Sequence, residues 1–250
     1  MIGYIFAILI GLSLGLMGGG GSILTVPILV YALDMDPKLS IALSLAIVGL
    51  TSLVGSVSHF KAGNIDLKVA AIFGPIAMLG TFLGARFIAP FFSGAAQLIL
   101  FAVVMIIASY FMFKGRDEQD VDENQKLNIP LIIAEGLLVG LLTGLVGVGG
   151  GFMIVPALVL LAHIPMKKAI GTSLLIIAFK SFAGFAGYLG SELVIPWAFL
   201  LKFSGFTIVG ILIGSYLVKF VPASKLKKGF AVFLVVMGIF ILYKNAHVFA

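Results

Sequence analysis

The sequence predicts an all-α polytopic membrane protein built from two inverted repeats. Each repeat is a glycine-broken re-entrant helix pair followed by three transmembrane helices. Three observations carry this reading. Hydrophobic residues fill 61% of the 250 positions, charged residues 10%, and mean hydropathy is +1.23, so most of the chain faces lipid or a core buried within it. The motif GLMGGGGSILTVP at Gly15–Pro27 returns without a gap as GLVGVGGGFMIVP at Gly144–Pro156, an offset of 129 residues (156 − 27). The basic residues, finally, gather on one side of the membrane only if the second copy is upside down.

In chain order the apolar segments are Ile2–Leu33, Leu39–Phe60, Leu67–Phe92, Ala95–Phe113, Ile129–Ala162, Ala169–Leu189, Ile195–Phe220 and Leu226–Tyr243. Most match the ~20 residues that span a ~30 Å hydrocarbon layer. Ile2–Leu33 and Ile129–Ala162 would be roughly 50 Å long as unbroken helices. Each contains the glycine cluster and then a proline, Pro27 or Pro156. The first segment has no basic region ahead of it and no small-residue cleavage pattern, so a cleavable signal is not expected. The one strongly polar stretch, KGRDEQDVDENQKLN at Lys114–Asn128, is expected to be a solvated linker. It divides repeat 1 (1–113) from repeat 2 (129–250), with the linker at 114–128. The repeat extends past the glycines, pairing Lys38 with Lys167, Ile41 with Ile170, Ser44 with Ser173, Ser52 with Ser181 and Gly55 with Gly184. One residue of slippage later, Gly80 and Gly84 pair with Gly210 and Gly214.

The loops choose between two topologies. If each glycine segment crosses the membrane, the repeats are parallel and the basic residues divide without bias. If each enters, turns at its break and returns, Lys61, Lys68, Lys114, Arg116, Lys126, Lys167, Lys168, Lys219, Lys225, Lys227 and Lys228 share one side, against Lys38, Arg86 and Lys244 on the other. Cytoplasmic loops carry excess Lys and Arg, which favours the inverted arrangement, with a cytoplasmic linker and external termini.

In that arrangement Ser22–Tyr31 and Gly151–Leu160 are half-helices starting near the midplane. Their first N–H groups lack intrahelical partners and carry the positive end of a helix dipole. Glycine lets a ligand approach such backbone closely. The expected site is therefore for an anion, built by Gly19, Gly20, Gly21 and Ser22 with Val148, Gly149, Gly150 and Gly151. The alternative is that glycines only allow close helix packing, which is the preferred reading for Gly80/Gly84 and Gly210/Gly214.

Lys180 sits deep in its segment, where a bare ammonium is costly, and requires an anion, a water cavity, or a partner such as a carbonyl or Glu135. It is a candidate substrate ligand; Lys202 is shallower and able to snorkel. Ser44, Thr51, Thr172 and Ser173 are candidates to hydrogen-bond an oxyanion, or to bond a carbonyl of their own helix. His59 and Glu135 are candidates for proton coupling, each with an interfacial, solvated reading beside it.

Other chemistries lack their parts. The chain has no cysteine, so disulfides and thiolate chemistry are excluded. No metal-ligand spacing and no Ser/His/Asp constellation is visible, so neither an enzyme nor a metal or other cofactor is expected. Net charge of +6 lies in short loops between apolar segments, which points to topology and anionic lipid, not nucleic acid.

At GLMGGGGSILTVPILV (Gly15–Val30), GLVGVGGGFMIVPALV (Gly144–Val159), Lys167–Ser173 with its weaker copy Lys38–Ser44, and HFKAGNIDLKVA (His59–Ala70), the chain resembles the sulfite exporter TauE/SafE family of membrane permeases. The resemblance spans essentially the whole chain. It implies transport of small sulfur-containing anions such as sulfite or sulfonates, or of related organic acids, in a bacterial plasma membrane. The first copy departs by carrying Ala42-Leu43-Ser44 where the second has Gly171-Thr172-Ser173, so the halves need not contribute hydroxyls equally. The expectation is a secondary transporter of a small oxyanion working by alternating access. An anion channel and a non-transporting membrane scaffold are the alternatives. The expected partners are the anion and the lipid bilayer; a coupling proton or cation and a second copy in a homodimer remain candidates.

Overall fold

A computed structural model describes residues 2–114, 129–146, 151–160, 164–189 and 193–245. Every regular element among them is helical. The first apolar segment forms α1 (Ile2–Met17), which stops at Gly18, where φ is +67°. A left-handed residue ends a helix and turns the chain, and glycine adopts it without a Cβ clash. The Gly18 N–H still reaches Leu14 O at 2.8 Å, and α2 (Gly20–Pro27) starts two residues on. Pro27 has no N–H to continue the ladder, and a single π turn, Ile28–Ala32, prolongs α2. The chain folds back on itself here: Gly21 lies against the Ile10 carbonyl, and a Cβ on Gly3 would stand 3.1 Å from the Leu33 side chain. Thus the first 33 residues form a hairpin whose two ends are neighbours.

Long helices follow. Asp36 accepts the Leu39 N–H at 2.9 Å and Pro37 occupies the first turn, which starts α3 (Pro37–Lys61). Asp66 caps α4 (Leu67–Leu83) through Val69 N–H at 3.0 Å; α4 runs on as a π turn, Gly84–Ile88, and a 3₁₀ turn, Ala89–Phe91. Then come α5 (Gly94–Lys114), α6 (Ile129–Val146), α7 (Gly151–Leu160) and α8 (Met166–Tyr188). The series closes with α9 (Trp197–Leu217), its 3₁₀ extension Val218–Phe220, and α10 (Ala223–Lys244). Among the described residues six helices are long and apolar enough to cross a membrane, and they are α3, α4, α5, α8, α9 and α10. The chain is a multi-pass helical membrane protein. Residues 115–128, which make up nearly all of the expected linker, and residues 147–150 of the second glycine cluster lie outside the described residues.

The halves pack reciprocally. Helix α1 lies beside α9 and runs with it, since Tyr4 stacks on Phe206 at 4.5 Å while Gly15 meets Ile211 and Ser215 farther along. Likewise α6 runs with α4, Gly136 facing Ile76 and Gly144 facing Thr81 and Ala85. By contrast α3 and α8 are antiparallel, because Leu45 faces Gly184 whereas His59 faces Gly171. Helices α5 and α10 are also antiparallel: Ser109 donates to Ala231 O at 3.0 Å and Ile106 meets Gly238. The α3/α8 pair is central and buried over most of its length, whereas α5, α9 and α10 turn Val103, Ile107, Leu212, Val232 and Val236 outward to lipid.

Backbones touch in the parallel pairs. A Cβ on Gly210 would overlap the Ile8 carbonyl, one on Gly214 the Leu12 carbonyl, and one on Gly80 would stand 2.7 Å from Leu137 O. These glycines are packing residues, as their spacing suggests. Gly214→Ala should therefore lower the thermal midpoint in detergent, with an overpacking cost of about 1–3 kcal/mol. Gly205→Ala on the same helix, where a Cβ meets nothing within 4 Å, should not lower it.

Candidate functional site

The break in the first hairpin lies against the start of α7. A Cβ on Gly151 would overlap Gly19 Cα and Ile177 Cδ1 and stand 3.2 Å from Gly18 O. The beginnings of α2 and α7 thus meet around Gly18, Gly19 and Gly151, walled by α8. On that wall a Cβ on Gly18 would stand 2.6 Å from Ser173 Oγ and 2.9 Å from Ile170 Cα. Gly18, Gly19, Gly21, Ser22, Gly151 and Ser173 are all buried. Gly19 forms the N-cap of α2 with no side-chain hydrogen bond, so no side chain substitutes for a ligand at that helix start. Gly20 opens α2. Val148, Gly149 and Gly150 lie outside the described residues.

The hydroxyls near this junction are engaged with their own helices. Ser22 donates to Gly19 O at 2.6 Å, Ser44 to Ile41 O at 2.9 Å and Ser173 to Ile170 O at 2.8 Å. A hydroxyl has one proton, so in this arrangement backbone N–H groups are the better anion donors. Thr51 lies elsewhere, bonding Ile47 O at 2.7 Å and meeting Thr207 Oγ1 at 2.6 Å between α3 and α9. Thr172 accepts the Asp66 N–H at 2.9 Å and so ties the α3–α4 loop to α8.

Lys180 is wholly buried, and its Nζ donates to Thr143 Oγ1 at 3.0 Å in the last turns of α6. Thr143 in turn donates to Gly140 O at 3.0 Å and lies 3.3 Å from Thr81 Oγ1. No carboxylate pairs with Lys180 among the described residues; Glu135 lies two turns back along α6. Lys180 sits one turn beyond Ile177, which touches Gly151, so the cation stands behind the junction and not in it.

Glu135 faces a groove of about 480 Å³ between α5, α6 and α7, apolar except for Lys114 at its rim. Two polar cavities lie at opposite ends of α3. One, about 490 Å³, is lined by Asp36, Lys38, Arg86, Gln97 and Tyr188. The other, about 210 Å³, is lined by Ser58, His59, Asn64, Ser215 and Lys219. Lys38 and His59 are separated by about 32 Å along the helix at ~1.5 Å per residue, close to the thickness of a hydrocarbon core. Tyr188 occupies the repeat position of His59 (188 − 59 = 129), which relates the two cavities. At the larger one, Gln97 Nε2 donates to Leu145 O at 2.9 Å and Tyr188 Oη to Gly144 O at 3.2 Å. Those carbonyls lie in the last turn of α6, where helical carbonyls look for partners outside the helix. Sequence reasoning passed over Thr143, Gln97 and Tyr188. A single polar residue inside an apolar span was the available signal for Gln97.

A glycine-broken hairpin whose break meets the start of α7, among six long apolar helices of the described residues with polar cavities at both ends of the central pair, describes a membrane transporter. The chain belongs to the sulfite exporter TauE/SafE family, whose model matches residues 4–241. A probable membrane transporter protein of Xylella fastidiosa (strain Temecula1) is 30% identical over 243 residues, 95% of this chain and 92% of that protein. One of Haemophilus influenzae is 30% identical over 249 residues, covering 92% and 93% of the two chains. The probable membrane transporter protein YdhB of Bacillus subtilis is 25% identical over 241 residues, 94% of this chain and 97% of its own. No solved structure matches the chain. The family and these relatives are named as transporters, not enzymes.

Proposed function

We propose that this protein is a secondary transporter of a small sulfur-containing or organic oxyanion, such as sulfite or a sulfonate, in the bacterial plasma membrane. The observation that carries the reading is the meeting of two half-helix starts, α2 and α7, at buried Gly18, Gly19 and Gly151. Two dipole ends meeting at one place favour an anion. The Gly19 N–H already bonds Met17 O at 2.7 Å and the Ser22 N–H bonds Gly19 O at 3.2 Å, so this reading takes its backbone donors from Gly20, Gly21 and the first turn of α7. The two halves act as inverted repeats with boundaries 1–113 and 129–250, a reading supported by the reciprocal helix pairs and by the antiparallel α3/α8 contact. Alternating access then moves one set of helices against the other, exposing the junction first to one polar cavity and then to the other.

Uptake by proteoliposomes tests this directly. Labelled sulfite or taurine should enter faster when unlabelled anion is trapped inside; conductance without such counterflow would make the protein a channel and overturn the transporter reading. The topology has its own test, made simple by the absence of native cysteine. Ser93→Cys, in the loop before α5, and Ser224→Cys, in the first turn of α10, both at exposed positions, should react with an impermeant maleimide from opposite sides. Labelling from one side would sink the inverted arrangement.

A further inference from the structure

The smaller polar cavity contains a feature the transport reading does not use. His59 is 2% exposed, yet neither ring nitrogen has a hydrogen-bond partner. Ser215 Oγ, on a residue 6% exposed, is also unpartnered and lines the same space. Buried polar atoms are almost always satisfied, so two such side chains bordering one cavity call for an occupant. With about 210 Å³ available, the cavity holds several water-sized volumes of ~30 Å³.

The lining says which kind of occupant. Its polar residues can all donate: His59, Ser58, Ser215, Asn64 and Lys219, whose Nζ stands 5.7 Å from the centre of the Tyr216 ring at the same cavity. Among the described residues no carboxylate lines it; the nearby Asp66 carboxylate is held at the start of α4 by the Val69 N–H. Two further cations of the described residues stand about this end, Lys61 closing α3 and Lys167, which donates to the Lys219 carbonyl at 3.5 Å. Such a lining suits neither a metal ion nor an organic cation.

Three consecutive residues of α8 pack between the cavity's lining residues and the junction. A Cβ on Gly171 would overlap Asn64 O and stand 3.0 Å from His59 Cβ. Thr172 holds the Asp66 N–H, and Ser173 borders Gly18. One helical turn of α8 therefore packs behind His59 and Asn64 of the cavity lining and also walls the glycine junction.

From these observations we infer that His59, Ser215, Asn64 and Lys219 form a second oxyanion subsite, a station one step from the glycine junction at the end of α3. The inference rests on the anion-transport reading for its direction of use, though its geometry stands alone. A neutral imidazole donates one hydrogen bond and a protonated one two, and the Ser215 hydroxyl and Lys219 ammonium supply the rest.

The chain has three histidines, so ring-labelled [15N]histidine protein in detergent gives a resolvable spectrum, with His59 assigned by its loss in His59→Gln. Sulfite and methanesulfonate are titrated in, with chloride as control. Both oxyanions should shift the His59 nitrogens saturably, and chloride should not. Ser215→Ala and Lys219→Gln should each raise the midpoint concentration about tenfold, the scale of one lost hydrogen bond to a charged group. In Gly151→Val, whose junction is blocked, the His59 response should persist. If an oxyanion raises the thermal midpoint while the His59 nitrogens stay still, the subsite is overturned and the junction reading survives. An equal response to chloride also overturns it, because the cavity then holds any counter-ion. Should neither the nitrogens nor the thermal midpoint respond to either oxyanion, both readings fall together.

Discussion

Gly151→Val is expected to abolish anion uptake by proteoliposomes while leaving a folded, monodisperse protein. The side chain would enter the space between Gly19 Cα and Ile177 Cδ1, where even a Cβ overlaps both. The start of α7 must then withdraw from the start of α2, and the two sets of N–H groups no longer converge. Two hydrogen bonds to a charged ligand displaced together correspond to a loss of about 100-fold or more in affinity. The folding cost is smaller, about 1–3 kcal/mol for a strained contact, because α7 is a short limb and not one of the six long helices. Transport assays beside thermal unfolding separate the two effects. Uptake within a fewfold of wild type would mean that the junction binds nothing and that its glycines serve packing alone.

This variant also bears on how the chain encodes its site. The glycine clusters were legible because runs of four (Gly18–Gly21) and three (Gly149–Gly151) glycines inside apolar segments conflict with a continuous helix, and because the conflict recurs at a fixed offset. The close crossings of Gly80 and Gly84 with α6, and of Gly210 and Gly214 with α1, were legible from i, i+4 spacing of small residues. The partners of the polar residues were not legible. Lys180 meets Thr143 on a helix 37 residues earlier in the chain, and His59 shares a cavity with Ser215, 156 residues later. Such pairs depend on which faces of crossing helices meet, and in spans apolar on every side no stripe announces that face. Thr51 and Thr172 show the same limit. Both look like mid-span hydroxyls in sequence, yet one joins Thr207 and the other secures a loop.

The repeat relation sharpens the last case. Lys180 and Thr51 occupy equivalent positions (180 − 51 = 129), and each reaches a threonine on a neighbouring helix, Thr143 for one and Thr207 for the other. One half thus places an amino group where the other has a hydroxyl, which makes a purely architectural role for the lysine easy to test. Lys180→Met keeps the length of an unbranched side chain and removes the charge. Replacing a buried, poorly satisfied cation by an apolar side chain of similar volume is often neutral or stabilising, so the thermal midpoint should hold or rise. Thr143→Val does the reverse, stranding the amino group of Lys180 without its hydrogen bond, and should cost about 1–3 kcal/mol. Combining the two should recover most of that loss, since the interaction no longer exists to be broken. Uptake is expected to fail in Lys180→Met despite its intact fold, because a positive charge one turn from Ile177 favours an anion at the adjoining junction. Lys180→Arg should not restore uptake, the larger planar guanidinium having no room between Thr81 and Thr143. If Lys180→Met is both stable and fully active, the lysine plays no part in moving the substrate, and anion recognition rests on the backbone of the two broken helices alone.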